Sequence, residues 1–366
     1  MLSGIALIIK AGGAFMSVEV IEVSSPAAVQ VFNAFPWRIY RNSYLAPSFP
    51  VLERSSPHYD SLFERVEAMP FLALKNGQVL GRIAASVNHA HVDGETGFFG
   101  YFESLKDNAA AGWLLEAAAN WLSARGKNKM IGPVDLSPHE RLGLLVEGFG
   151  GYHNPGMPYN PTYYPSLLNH CGMETEINLN AYHYDLHKPV PERLARVAER
   201  ASRSKGIRIR EIDFNNLKRE GEIFSLIHNS SMSEIWGFAH LSPAEGAAIW
   251  KKLRSFFDPR LILFAEVNGE PAGMCLAMST VRRTFFINQA SDLNVRLAIL
   301  AVLPRYRFKG IEAALIMECI RRARARGIVT IELSLVAENN SMMNTIIKNL
   351  DGVRKSRSYA VYRKQI

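Results

Sequence analysis

The residues best equipped to do chemistry lie between positions 297 and 340. An apolar run over 297–303 stops at Pro304. Arg305, Tyr306, Arg307, Phe308, Lys309 and Gly310 follow, three cations and a glycine within six residues. A helical pattern opens at once, with Ile311, Leu315, Ile316, Cys319, Ile320 and Ala323 spaced to share one apolar stripe. A helix N-terminus leaves about four N–H groups without carbonyl partners, and the helix dipole adds partial positive charge there. With Gly310 permitting close approach and Arg305, Arg307 and Lys309 adding charge, the turn reads as an anion site, most naturally for a pyrophosphate. An ordinary strand-to-helix turn with solvated cations fits the same spacing. The fingerprints GxGxxG and GxxxxGK[ST] are absent, so nicotinamide-type and ATP-type sites lose support.

Positioning this turn requires a strand before it, a helix after it and a second strand beyond. Arg321, Arg322, Arg324 and Arg326 crowd the last helical turns, where cations suit the dipole, and Gly327 follows as a stop. Residues 328–336 then alternate as a strand, completing a βαβ unit. Upstream, two hairpins are expected, 71–87 around Asn76-Gly77 and 261–279 around Asn268-Gly269, because Asn-Gly suits a two-residue turn. Helices are expected over 27–41, 109–125, 193–203, 215–233 and 247–256, the last opened by Ser242 and Glu245. The stretch 44–60 reads as irregular. Each half thus runs helices, hairpin, strand, helix, strand, a pseudo-repeat of one α+β unit. The first half's corresponding turn, 104–111, carries Lys106 alone as a cation, so the phosphate site belongs to the second half.

The chain of 366 residues is 48% hydrophobic and 21% charged, ordinary for a globular protein with a sizeable core, and its length suggests two domains. Residues 305–366 hold 13 Lys/Arg and 5 Asp/Glu, an excess of +8 that equals the formal charge of the whole chain. Such local basicity suits a polyanionic small ligand, a nucleic acid or an anionic membrane surface. Cys171, Cys275 and Cys319 lie in apolar contexts with no CxxC spacing, which points to a reducing compartment, buried thiols and no metal framework. The apolar run near the N-terminus is broken by Lys10, is too short to span a bilayer and lacks the basic n-region of a signal peptide, so neither anchor nor signal peptide is expected. A cytoplasmic protein is expected.

The segment LPRYRFKGIEAAL resembles the acyl-CoA pyrophosphate loop of the GNAT N-acyltransferase superfamily, [QR]xxGx[GA] after a strand. Arg307, Lys309, Gly310 and Ile311 fit it; Glu312 stands where the family prefers Gly or Ala, and Phe308 where Gly is frequent. Further segments, among them VFNAFPWRIY, GFFGYFES, PYNPTYYPSLL, IWGFAHLSPAE and ELSLVAENN, resemble in order a bacterial tandem-GNAT group. That resemblance implies an α+β fold of two tandem GNAT-like domains, each a mixed, mostly antiparallel twisted sheet flanked by helices. Residues 1–16 would be an extension, 17–188 a degenerate domain on the acceptor side, and 189–366 the domain with the donor loop.

The resemblance also implies direct attack of an amine on an acyl-CoA thioester, with no metal and no covalent enzyme intermediate. Leu303, Arg305, Arg307, Phe308, Lys309, Gly310, Ile311, Glu312, Ala313 and Asn340 would hold the CoA moiety. A backbone N–H near 300–303 would receive the thioester oxygen. Among the carboxylates, Glu332 reads as a solvated strand residue and Glu338 is the favoured base. The family's usual acid, a Tyr on the next helix, is missing from NSMMNTIIKNLDG, so Tyr359 on the last strand is the candidate. Trp236, Phe238, Tyr159 and Tyr163 would line the acceptor side. Their apolar character, with that of Phe35, Trp37, Tyr44 and Phe49, points to an apolar or long-chain amine and to peripheral membrane contact; nucleic acid is not an expected partner. Two alternatives stay open: a transferase of the Fem-like, aminoacyl-tRNA-dependent kind, and an acyl-CoA-binding protein without turnover.

Overall fold

The computed structural model describes residues 7–11, 18–41, 64–91, 93–151, 153–154, 156–204, 206–254, 257–279 and 294–366. Tyr44 and Phe49 lie outside them. The chain forms two compact units, 1–178 with 358–366, and 179–357.

The first unit is an α/β/α layer. Its strands β1 (Leu7–Ala11), β2 (Val18–Glu22), β3 (Val66–Lys75), β4 (Gln78–Asn88), β5 (Thr96–Ser104) and β6 (Lys129–Gly132) are hydrogen-bonded in that order. Residues 7–11, expected to stand outside the fold, pair antiparallel with β2. The β3–β4 turn places Asn76 at φ 51° and Gly77 at φ 75°, the left-handed pair a two-residue hairpin demands. β5 and β6 are parallel, joined by α3 (Asn108–Ser123). The helix expected over 27–41 is two, α1 (Pro26–Ala34) and α2 (Pro36–Tyr40). They break at Pro36, which has no N–H to continue the ladder. Phe71 and Phe99 are buried with Leu114 of α3, and Phe32, Leu72 and Tyr101 pack on the face that carries α1.

The second unit repeats this plan. Its sheet runs β8 (Glu174–Asp185), β13 (Thr330–Ala337), β12 (Asn294–Val302), β11 (Glu270–Ser279), β10 (Ile262–Val267), β9 (Ile207–Glu211). Asn268 at φ 52° and Gly269 at φ 85° make the second hairpin. The parallel pair β12–β13 is joined by α8 (Ile311–Arg324). Leu315, Cys319, Ile320 and Ala323 bury the predicted stripe against Val295, Leu297, Ile331 and Leu333. Leu315 has no exposed surface, and its truncation to Ala should cost about 2–5 kcal/mol. On the other face, Phe224 and Trp250 pack with Met274, Leu276 and Ala301. They come from α6 (Leu217–Met232) and α7 (Pro243–Leu253), the latter opened by a full Ser242–Glu245 capping box.

The units do not part at Pro189. β8 crosses from the first to the second at 178/179. β14 (Val353–Gln365) crosses back at 357/358 and pairs with β6 and with β7 (Leu144–Glu147). The proline before α5 (Glu192–Arg203) marks a loop rather than a domain edge.

Candidate active site

The predicted anion turn is built as a helix mouth. Pro304–Tyr306 is a single 3-10 turn, and Gly310 caps α8 at φ 78°. A Cβ at Gly310 would lie 3.1 Å from both Val197 Cγ1 and Ala201 Cβ of α5, so close packing and backbone conformation both require glycine. The first i→i−4 bond of the helix is Ala314 N–H to Gly310 O at 3.0 Å. The amides of residues 310–313 therefore precede the helical ladder.

The cations of the turn divide their tasks. Arg305 and Lys309 lie over the Tyr306 ring, 5.0 and 5.2 Å from its centroid, and both are exposed. Arg307 turns inward: Nη2 donates to Ser231 O at 3.1 Å and ties the turn to the end of α6. Phe308, at φ 62°, is fully exposed. Glu312 is half-buried in the first helical turn, where a carboxylate suits the dipole.

The turn stands at the end of a gap between strands. β12 and β13 pair from Asn294↔Thr330 to Leu297↔Leu333 and no further. Against β11, Leu276 faces Ile299 and Ala277 faces Leu297, so Ala298 is a bulge at the point of parting. Bulges end pairing and re-aim backbone groups in this way. From Leu297 to Leu303 the free edge of β12 extends about 20 Å.

Glu332, read from sequence as solvated, is 1% exposed. Its Oε2 accepts from Arg357 Nη1 at 3.0 Å and lies 3.3 Å from His183 Nε2. Its Oε1 accepts from Ser334 Oγ at 2.9 Å, and Arg296 Nε donates to that hydroxyl at 3.0 Å. Arg296, Glu332 and His183 are register partners across β12, β13 and β8. The row lies one residue before the strands part. Period-two alternation signals the face Glu332 occupies but not that His183 and Arg357 cover it.

The remaining candidates fall in different places. Glu338 is exposed just past β13. Asn340 caps α9 (Ser341–Lys348), its Oδ1 accepting from Met343 N–H at 3.1 Å, so its side chain is engaged locally. Phe238 stacks on His228 at 5.5 Å, and Trp236 is half-buried nearby in sequence. Burial lowers the His228 pKa, with His240 adding to the effect. Tyr159, Tyr163 and Tyr359 belong to the first unit. Tyr359 is fully buried opposite Leu145, a poor location for an acid that must meet a leaving group. Tyr163 donates to Ser104 O at 2.8 Å, and burial beside Glu103 pushes its pKa up to about 12. Tyr159 packs edge-on to His153.

Residues 226–346 match the acetyltransferase (GNAT) family model. A bacterial ceramide synthase of Caulobacter vibrioides is 29% identical over 383 aligned positions, 95% of this chain and 97% of that one. The protein YghO of Escherichia coli K12 is 26% identical over 92% of this chain and 93% of its own. Among solved structures, a tandem GNAT protein from the clavulanic acid biosynthesis pathway superposes with a TM-score of 0.56 at 10% identity, over 95% of this chain and 98% of that one. The fold is α+β, with a glycine-capped helix mouth after a strand that parts from its parallel neighbour. Residues 226–346 thus carry the GNAT match, and the chain shares the fold of a tandem GNAT protein. Enzymes of that family use an acyl-CoA co-substrate and an amine acceptor. No described helix is long and apolar enough to cross a membrane.

Proposed function

We propose that this chain moves an acyl group from a CoA thioester to the amine of a long-chain, apolar base. The observation that carries the reading is the bare mouth of α8, amides 310–313 with Arg305 and Lys309 beside them, set at the end of the gap between β12 and β13. The pyrophosphate would lie on the mouth and the pantetheine arm along the free edge of β12, among Leu303, Arg305, Lys309, Gly310, Ile311 and Ala313. The amine nitrogen attacks the thioester carbon directly, the C–S bond breaks, and the CoA thiolate leaves. An amide N–H of 298–302 that is not paired to β11 would receive the developing oxyanion. The long-chain acceptor is supported by the similarity to a bacterial ceramide synthase over nearly the whole chain, and by the half-buried aromatics Trp236 and Phe238.

Thermal unfolding with CoA and acyl-CoAs of increasing length, repeated on Gly310→Glu, tests the donor. A ligand selective for the folded state adds about 2.7 kcal/mol at 100 times its Kd. The midpoint should rise for wild type, most for one chain length, and stay flat for the variant. Thiol release with an amine panel then tests the acceptor, and equal turnover of short hydrophilic amines and long-chain bases would overturn the long-chain assignment.

A further inference from the structure

The reaction needs a group that takes a proton from the acceptor ammonium, and the carboxylate favoured by sequence, Glu338, is exposed beyond the end of β13. The buried row on β12, β13 and β8 offers another. We propose that His183 is the general base of this transferase and that Glu332 is its positioning residue. The inference rests on the acyl-transfer reading above and assigns a residue within that site.

Three observations carry it. First, place: His183 is the register partner of Glu332, and Glu332 that of Arg296, one residue before β12 and β13 separate. Ile331 and Leu333 point into the core under α8. The alternating Glu332 therefore faces the opposite side of the sheet, away from the helix whose mouth would take the donor phosphates.

Second, exposure: the His183 side chain is 26% accessible, whereas Glu332 and Arg357 are 1% and 5%. Within this cluster the imidazole is the titratable group that an acceptor can reach.

Third, orientation: Nε2 lies 3.3 Å from Glu332 Oε2, and no described residue bonds to Nδ1. A neutral imidazole donating its Nε2–H to the carboxylate keeps its lone pair on Nδ1. Glu332 is itself fixed by Arg357 and by Ser334, which Arg296 holds in turn.

The proton step is simple. Nδ1 accepts one proton from the ammonium and passes it to solvent; the freed nitrogen lone pair attacks the thioester carbon; as the C–S bond breaks, the nitrogen gives its second proton to Nδ1, and solvent protonates the departing thiolate. The imidazolium gains the Glu332 carboxylate as counter-ion, while Arg357 on the same oxygen and Arg296 beyond Ser334 limit that support. Asp185 lies two residues along β8 on the same face.

The test uses the full chain with the acyl-CoA that most raises the unfolding midpoint and a saturating long-chain amine. General-base catalysis is worth about 10²–10⁴-fold, so His183→Gln should lower kcat at least about 100-fold. Its donor-induced midpoint rise and donor KM should be unchanged, and the ascending limb of kcat against pH should vanish. Added imidazole should restore turnover to His183→Ala. Glu332→Gln should lower kcat with donor KM unchanged, because the ring loses the oxygen that orients it, and Glu332→Asp should return part of the rate. Wild-type kcat and an unchanged pH profile in folded His183→Gln would overturn the proposal. A wild-type enzyme that binds acyl-CoA yet releases no thiol with any amine would instead remove the acyl-transfer reading beneath it.

Discussion

Where the second unit has the bare turn at Gly310, the first has Asp107. Its carboxylate accepts from Ala110 N–H at 3.0 Å and caps α3. The strands differ in the same sense. β5 and β6 pair from Thr96↔Lys129 to Phe98↔Ile131 and then part, as β12 and β13 do. In the first unit, however, the chain returns into the opening. Val134 N–H donates to Phe99 O at 2.7 Å, and Asp135 Oδ1 accepts from Tyr101 N–H at 2.5 Å. A Cβ on Gly100 would stand 2.2 Å from Val134 O, so the returning segment touches β5 along its backbone. Arg141 holds Asp135 at 2.7 Å. Glu103 accepts from Tyr40 at 2.8 Å and Tyr164 at 2.7 Å. One plan has thus been built twice, once with a helix mouth that no described side chain caps and once with mouth and strand opening occupied by its own side chains and backbone. On the proposed reading, a duplicated donor site is retired most directly by supplying, from within the chain, the acceptors a ligand would bring.

The strongest way to break this contrast is Asp135→Ala. Asp135 is fully buried, so its loss leaves Arg141 without its closest counter-ion and the Tyr101 amide without its acceptor. Urea unfolding should show a loss of about 3–5 kcal/mol, and Asp135→Asn, which can still accept from Tyr101, a smaller one. A loss below about 1 kcal/mol, the range of a solvated pair, would mean that the segment does not hold the first opening shut.

Gly310→Ala probes the other side. A left-handed L-residue costs about 1–2 kcal/mol, and the new methyl presses on α5. The donor KM should rise together with that loss. An unchanged KM with a lowered midpoint would separate the fold of the turn from its use.

The units also answer pH oppositely. Burial raises the Glu103 pKa against the pull of Arg141 and Arg82. Burial also pushes Asp258 up, but hydrogen bonds from Arg260 and Arg326 reverse this and hold it down at about 2. A lowered folded pKa gives stability that is present above the unfolded value and lost as pH falls through the folded one. Between about pH 4 and pH 2, wild type should therefore lose about 1 kcal/mol more than Asp258→Asn, a figure discounted for partial solvent access. Equal acid limbs would show that the Arg326 contact is not maintained in solution.

The smallest expected effect is that of Asp107→Gly, a few tenths of a kcal/mol. It gives the first unit the same uncapped mouth as the second. No second CoA equivalent should bind by calorimetry, because the strand opening stays filled. A second equivalent would show that the cap alone separates the two units.

What could be read from sequence is what local rules decide. Asn76-Gly77 and Asn268-Gly269 dictate their turns, the stripe from Ile311 to Ala323 dictates a helix face, and Ser242 with Glu245 dictates a helix start. The helix mouth was legible for the same reason, since its amides, glycine and cations are neighbours in the chain. Glu332 was not. A glutamate alternating in a strand has the pattern of a solvated residue, and the groups that bury it, His183 and Arg357, are 149 and 25 positions away. Asn340, expected to hold the CoA moiety, caps α9 through Met343, a contact that the sequence reading did not include. Which sheet β8 and β14 would join is likewise beyond any local window.

That exchange of strand ends bears on how the protein is made. Residues 358–366 complete the first unit, yet they leave the ribosome after the whole of 179–357. Throughout translation the earlier unit waits with the edges of β6 and β7 open, and an open edge invites pairing with other chains. Emergence of residues 358–366, not of the first half alone, is the event that completes its sheet. A stop codon placed after Arg357 would leave the second unit's residues intact and deprive the first of its final strand.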